Sequence, residues 1–362
     1  MSDGMSDGMS DGLSGGLSGG LSDGMSGGLS GSDAQAQEAP GEQQEQPGNQ
    51  PLVSIVLPVY NGARYLPEAL ASIVAQSYPH WELVCVDDAS TDETPALLAA
   101  WAAREPRLRV IRHAQNQRLP AALNTGFAAT RGALLTWTSD DNRYQPTALA
   151  TLVAALQPSS VSPVADGTAG GAADGAADGV ADGAEPPLDF VYSDYEVIDA
   201  AGQVTETTCA PEPLALVAST VAIPCFLYRR RVYERLGDYA VDLALAEDYD
   251  YWLRMLAAGL RLQPLHEPLY AYRRHGGSLT DTARGRTFAM AERALLRNQS
   301  ALVKRYPTLR GAIYLQLAAF ASWRGQRGRA AIYALQGARY RPRALARQTQ
   351  AYLWRRLSGS RA

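Results

Sequence analysis

From Leu52 the chain opens on an unbroken apolar, β-branched run, LVSIVLPVY, which ends in the turn pair Asn61-Gly62 and passes into an amphipathic stretch. A run of that length bounded by turn chemistry reads as a buried parallel strand followed by a helix. The alternation then repeats: strand 52–58 precedes helix 64–76, strand 82–86 precedes helix 94–104, strand 108–112 precedes helix 120–130, and strand 133–137 precedes helix 146–156. Four strand-helix units joined by short loops predict an α/β fold with a doubly wound, mostly parallel, Rossmann-like sheet. Right-handed crossovers place the strand ends on one rim, and ligands of open sheets bind beyond those ends, so a nucleotide is expected near residues 58–62.

The pattern changes twice further on. Residues 158–187 are Pro, Ala, Gly and repeated Ala-Asp-Gly, a flexible surface insertion by composition; the Asp-Gly pairs lack the acidic density and spacing of a calcium loop. The sheet resumes at 189–197 with a hairpin turn at Ala201-Gly202. The uncharged stretch 214–228 contains Pro224 and reads as a buried connection and strand lining a cleft. A helix over 247–258, short strands at 261–264 and 269–272 and a loop at 273–280 follow. The remainder is helical: 284–305, ending before Pro307, then 311–324, a turn at 325–328, and a third helix ending near Pro342. The last two resemble one helix-turn-helix repeat of the tetratricopeptide kind, although such arrays need about three repeats.

Before residue 51 there is no such pattern. Residues 1–32 are eight Met/Leu-Ser-Asp/Gly-Gly/Ser tetrads and residues 33–50 a Gln, Glu, Pro and Gly mixture. Each interior Gly costs about 1 kcal/mol of helix stability relative to Ala, so 1–50 is expected to be a disordered tail. The organisation expected is thus a tail to residue 50, an α/β domain at 51–282 and a basic helical region at 283–362.

With 362 residues and 46% hydrophobic content the chain can bury a large core. Its formal charge of −4 conceals an asymmetry: no acidic residue follows Glu292, after which Arg and the one Lys add 15 positive charges, leaving −19 on residues 1–292. Cys85, Cys209 and Cys225 lack metal-ligand spacing and read as reduced core thiols. No apolar run of about 20 residues and no secretory leader pattern is present, so a cytoplasmic protein is expected, at most peripheral on the inner face of the cytoplasmic membrane.

Acidic pairs fall where strands end: Asp87-Asp88 in VCVDDASTD, Asp140-Asp141 in LLTWTSDDN, and Glu247-Asp248 at the opening of the later helix in LAEDYDYW. Three carboxylate pairs on one rim repel each other unless a cation or ligand donors compensate. A divalent Mg²⁺ or Mn²⁺ with bound phosphate oxygens is the simplest compensation. Asp92 reads more simply as a helix N-cap. There is no G-x-G-x-x-G and no Walker loop after the first strand, which counts against a dehydrogenase and a P-loop NTPase.

The stretch SIVLPVYNGARYLPEALASIVAQSYPHWELVCVDDASTD, followed by NQRLPAALNTGFAATRGALLTWTSDDNRYQP, LAEDYDYWLRM and YRRHGGSLT, resembles the family 2 inverting glycosyltransferases of the GT-A fold, in the family's order over residues 52–280. The resemblance implies a nucleotide pocket made by Pro58, Val59 and Tyr60, with Asp87 or Asp88 accepting from the pyrimidine ring and Arg118 near the nucleotide. It implies that Asp140 and Asp141 tie a divalent metal to the diphosphate, with Asp141 the better single ligand. The commoner motif is D-x-D-D, and its first acidic position is Thr138 here. Asp248 matches the general base, with Glu247 beside it as the fallback. Trp252, one turn beyond, is open to stacking on a sugar or to a core role. Arg273, His275 and Ser278 match a loop closing over diphosphate and metal, His275 being a further metal candidate. The implied reaction is metal-assisted displacement from a UDP- or dTDP-type sugar donor to a glycan or lipid-linked acceptor. The aromatic-rich basic C-terminal helices suit an anionic membrane surface or an ordinary solvated cap; no nucleic-acid reader accompanies the charge. A sugar nucleotidyltransferase should carry a glycine-rich loop after the first strand, where PVYNGARY stands instead. A noncatalytic nucleotide-sugar-binding or helical-repeat interaction protein is the remaining alternative.

Overall fold

The computed structural model describes residues 50–157, 186–219, 222–278 and 283–341. Residues 1–49 of the expected tail, 158–185 of the insertion, 279–282 and the basic residues 342–362 lie outside the described residues.

The first half follows the sequence pattern closely. β1 (Val53–Val59) is buried at every position, as a strand covered on both faces must be. It leads to α1 (Leu66–Val74), which turns Leu66, Ala69, Leu70 and Ile73 inward and carries Pro67 in its first turn, where the missing N–H costs nothing. β2 (Trp81–Asp87), α2 (Thr94–Ala102), β3 (Leu108–Arg112), α3 (Leu119–Ala128), β4 (Leu134–Trp137), the short β5 (Arg143–Tyr144) and α4 (Ala148–Leu156) follow. Gly126 lets α3 lie close on the sheet, since a Cβ there would come 2.3 Å from Val56 Cγ1.

The second half adds β6 (Phe190–Ile198), β7 (Val204–Thr208), β8 (Phe226–Arg229), α5 (Arg230–Leu236), α6 (Glu247–Ala258) and β9 (Leu262–Arg273). The sheet order is β3-β2-β1-β4-β8-β6-β9-β5, with β7 paired to β6. β1, β2, β3 and β4 pair in parallel, as do β6 and β9; β8 enters antiparallel between β4 and β6. The carboxyl ends of β1 to β4, β6 and β9 therefore share a rim, as the doubly wound reading requires.

Several expectations need correcting. The strands expected at 261–264 and 269–272 are one strand, β9, whose register with β6 shifts around Ser193 to Glu196. The polar residues His266-Glu267 sit at that irregularity, which is why the sequence read as a break. The stretch 214–228 holds a 3-10 turn, Pro213–Ala218, before β8, and α5 was not foreseen. Cys85 and Cys225 are buried free thiols, but Cys209 is exposed and no core residue.

The C-terminal helices are α7 (Arg284–Arg305), α8 (Arg310–Trp323) and α9 (Arg327–Tyr340). Leu295, Leu302, Ile313, Leu317 and Phe320 belong to the same apolar cluster as Phe190, Phe226 and Trp252, so α7 and α8 are packed into the core beside α6. Among the described residues no helix is long and apolar enough to cross a membrane.

Candidate active site

At the end of β1, Asn61 takes a left-handed φ of 53°. The Asn61, Gly62 and Ala63 amides donate to Ser90 Oγ (3.0 Å), Thr94 Oγ1 (3.0 Å) and Asp92 Oδ2 (3.1 Å). A phosphate cradle needs free amides, and here they are committed to the start of α2. Asp92 also accepts from the Thr94 amide at 3.0 Å, close to the expected capping role. Pro58, Val59 and the half-exposed Tyr60 line the cleft beyond the rim.

The two carboxylates ending β2 part company. Asp87 is buried away from the cleft, accepting from the Ser90 amide at 2.9 Å with Arg112 at 3.0 Å as an ion pair. It shapes the turn and is not placed to meet a base. Asp88 lines the cleft, and its carboxylate accepts from His113 Nδ1 (2.7 Å) and from the Gln117 and Arg118 amides (both 2.8 Å). Arg118 stands on the rim nearby, exposed. His113 was missed by the sequence reading, because a lone His at the end of β3 carries no motif.

Beyond β4, Thr138 is buried with its Oγ1 2.5 Å from Tyr270 Oη. The first position of the acidic motif thus points into the core, which is why a threonine serves there. Asp140 and Asp141 both line the cleft. Burial, then the neighbouring Asp141 and Asp92 charges, push the Asp140 carboxyl up to about 7. Burial likewise raises Asp141, against the pull of His275, whose Nε2 lies 3.1 Å from Asp141 Oδ2. His275 packs against Tyr65 with ring centres 5.0 Å apart and planes tilted by 51° and, with Ser278, faces the cleft.

Arg273 does not face it. Its buried guanidinium donates to the Asp141 carbonyl (2.9 Å), the Asp199 and Ala200 carbonyls (3.3 and 3.1 Å) and Glu68 (2.7 Å), over the Tyr65 ring. With its donors spent in this way it positions the Asp141 loop and is not available to a diphosphate. The Asn142 side chain ties the same loop to the Arg273 amide at 2.7 Å.

α6 opens into the cleft through Glu247 and Asp248. Before it, Leu245 is held at a φ of 83°, its amide donating to Glu247 Oε2 at 2.6 Å. Backbone strain of this kind costs on the order of 1–3 kcal/mol and gathers at functional sites. Asn124 exchanges two bonds with Tyr239, fixing this loop to α3. Burial first, then the Asp248 charge, push Glu247 up to about 8; burial also raises Asp248. Trp252 is not a sugar platform. It is 3% exposed, with Phe190 and Phe226 rings 4.8 and 4.9 Å away, because one turn into α6 the helix has left the cleft and faces β6 and β8.

Pro58, Val59, Tyr60, Asp88, Asp140, Asp141, Glu247, Asp248 and His275 share one cleft of about 1150 Å³, roomy enough for a sugar nucleotide and part of an acceptor. Among the described residues no three His, Cys, Asp or Glu side chains are grouped to cage a metal. Asp140, Asp141 and His275 do fit the other common mode, in which one or two carboxylates share a hard cation with substrate phosphates. As the uncharged stretch predicted, Ala222, Ile223 and Pro224 line one side, while Arg64, Arg286, Met290 and Arg293 do so unpredicted.

Comparison with known proteins agrees with this geometry. Residues 54–175 match the glycosyl transferase family 2 profile. EpsE of Bacillus subtilis, which carries the name of a glycosyltransferase, is 30% identical over 227 residues, 62% of this chain and 73% of EpsE. The O-antigen biosynthesis protein RfbC of Myxococcus xanthus is 30% identical over 251 residues, 68% of this chain; the chain spans 18% of that relative's length and 24% of another's. The mannosyltransferase PcManGT from Pyrobaculum calidifontis, solved in complex with GDP-Man and Mn²⁺, superimposes with a TM-score of 0.50 at 22% identity, over 85% of this chain and 86% of that one. That likeness concerns the fold, which is of the GT-A type. With the fold, the profile and a 30% identical relative in agreement, the chain belongs to glycosyltransferase family 2.

Proposed function

We propose that this enzyme moves a sugar, with inversion, from a UDP- or dTDP-type nucleoside diphosphate donor to an acceptor hydroxyl in polysaccharide or glycolipid assembly. The observation that carries the reading is the shared cleft: Asp248 at the start of α6 and the Asp140-Asp141 pair after β4 line the same cavity as the Pro58 to Tyr60 wall.

In this reading Pro58, Val59, Tyr60 and Asp88 receive the nucleoside, and Arg118 and Ser278 border the donor. Asp141, with Asp140 and His275, would hold a Mn²⁺ or Mg²⁺ that offsets charge on the departing diphosphate. Asp248 takes the proton of the acceptor hydroxyl as its oxygen bonds to the anomeric carbon and the bond from that carbon to the diphosphate breaks. One displacement suffices, so no covalent nucleophile is needed. Burial and the Asp248 charge favour the protonated form of Glu247, so Asp248 is the member assigned the role of base.

The O-antigen assignment of a relative supports a place in polysaccharide assembly. Exposed Trp323, Ile332 and Leu335, among arginines of α8 and α9, support peripheral contact with an anionic membrane.

The experiment is a thermal-shift panel of nucleotide sugars with and without Mn²⁺, followed by transfer assays of Asp141→Ala and Asp248→Asn. A stabilising donor and loss of transfer in both variants, at unchanged fold, are expected. Unaltered turnover in either variant would sink the residue roles, and failure of every nucleotide sugar to stabilise the protein would sink the reaction.

A further inference from the structure

The cleft has a second wall, made by α7. Arg286, Met290 and Arg293 line it, spaced by four and three residues and therefore on one helical face. Arg293 Nη2 is 2.8 Å from Asp242 Oδ2, and Arg297 Nη2 reaches the same oxygen at 2.5 Å. One carboxylate thus serves two guanidiniums, and one positive charge is left over. Arg286 is exposed and among the described residues its guanidinium has no partner.

Asp242 sits on the loop that leads into Asp248, so Arg293, which pairs with it, belongs to the wall that carries the proposed base, and Arg286 lies two turns away on the same helix face. In the proposed reading the diphosphate half of the donor belongs with Asp140, Asp141 and His275, which leaves this wall to the acceptor. The floor of the cleft is acidic, through Asp88, Asp140, Asp141 and Asp248. A neutral acceptor would need no cations opposite the base; an anionic one would need them to overcome that field. Guanidiniums match phosphate oxygens in both charge and fork geometry.

We infer that α7 binds the acceptor through a phosphate or diphosphate group held by Arg286 and Arg293, with the acceptor's sugar hydroxyl reaching Asp248. This rests on the transferase reading and names the acceptor class for the same site. Such a group can be borne by a lipid or by a soluble sugar phosphate, and the chemistry at the arginines is the same.

The test is calorimetric titration of the full chain, with UDP and Mn²⁺ filling the donor half, using inorganic phosphate and n-octyl phosphate as probes. Both should bind, and Arg286→Gln with Arg293→Gln should weaken both at least ten-fold. Arg310→Ala, which removes one exposed positive charge outside the cleft, should leave both affinities unchanged. Tighter binding of octyl phosphate than of phosphate assigns the group to a lipid, and equal binding to a soluble acceptor. Affinity unchanged in the double variant, or no phosphate binding by the wild type, overturns the inference. If UDP fails to bind while phosphate binding still depends on the two arginines, the donor reading falls and the anion site stands; if UDP binds and phosphate is indifferent to them, the anion site alone falls.

Discussion

The Arg118 amide donates to Asp88 Oδ2 at 2.8 Å from a backbone held at a φ of 72°. A side-chain-bearing residue leaves that region at the first opportunity, at a gain of about 1–3 kcal/mol. The Asp88 carboxylate holds it there, helped by the Gln117 amide and His113. Asp88→Ala should therefore release the 116–118 turn. Donor affinity should fall about ten-fold or more, and stability by about 1–3 kcal/mol, chiefly for the buried His113 left without its partner. Donor titration and thermal melting check both; an unchanged donor affinity would show that the turn plays no part in the pocket.

Gly62 is the counterpart on the other strand end. A Cβ there would lie 1.7 Å from Asp140 Oδ2 and 2.7 Å from Val59 Cγ2. Gly62→Ala must push the Asp140 carboxylate out of place, at about 1–3 kcal/mol of overpacking. Transfer activity should fall at least a hundred-fold and Mn²⁺-dependent stabilisation by nucleotide should disappear. Crystals of the variant with Asp140 unmoved, or full activity, would contradict this.

Trp252 separates a core role from a ligand role. Trp252→Phe keeps an aromatic among Phe190, Phe226 and Tyr251 and should leave the KM of donor and acceptor within about two-fold. Trp252→Ala should cost about 3–5 kcal/mol of stability. A rise in KM for Trp252→Phe without a fall in Tm would restore the sugar-stacking role.

Much of this was legible from periodicity alone. β1 to β4 and their helices are local objects, each specified by its own apolar run and turn residues, and β3, α6 and α7 fall at the expected bounds. The acidic pairs were legible as a group because strand ends share a rim. What was not legible depends on contacts far apart in sequence. Asp87 and Asp88 are adjacent and chemically identical; only their partners, Arg112 and Ser90 for one and His113 and the 117–118 turn for the other, tell them apart. Arg273 looked like a phosphate ligand until Glu68 and the Asp141 carbonyl were seen to consume its donors. Trp252 shares a helix face with Asp248, but the cleft is less than two turns deep there. Arg286 and Arg293 were hidden in a generally basic segment and gained meaning only when α7 packed beside α6.

The acidic pair opening α6 makes a prediction about pH. The ordinary glutamate value is 4.5, and burial beside Asp248 raises Glu247 to about 8. A carboxyl whose folded value is raised binds more protons in the folded than in the unfolded state between those two values, so stability falls as pH rises through that window. The full stabilisation is present below about 4.5 and gone above about 8. Asp140 contributes in the same direction, so the comparison must isolate Glu247: Glu247→Gln should melt with a weaker pH dependence than the wild type between pH 5 and 8. The difference should be on the order of 1 kcal/mol for each unit of upward shift, or a few degrees of Tm. In the proposed mechanism catalysis runs the opposite way, because Asp248 must be ionised to accept a proton. Burial raises it too, so kcat/KM should climb with pH along a limb lying above the usual carboxylate range. Glu247 and Asp248 titrate as a pair, so Glu247→Gln should shift that limb, while Asp248→Asn should abolish the activity that defines it. A limb at the ordinary carboxylate position, unmoved by Glu247→Gln, would mean that some other group accepts the proton.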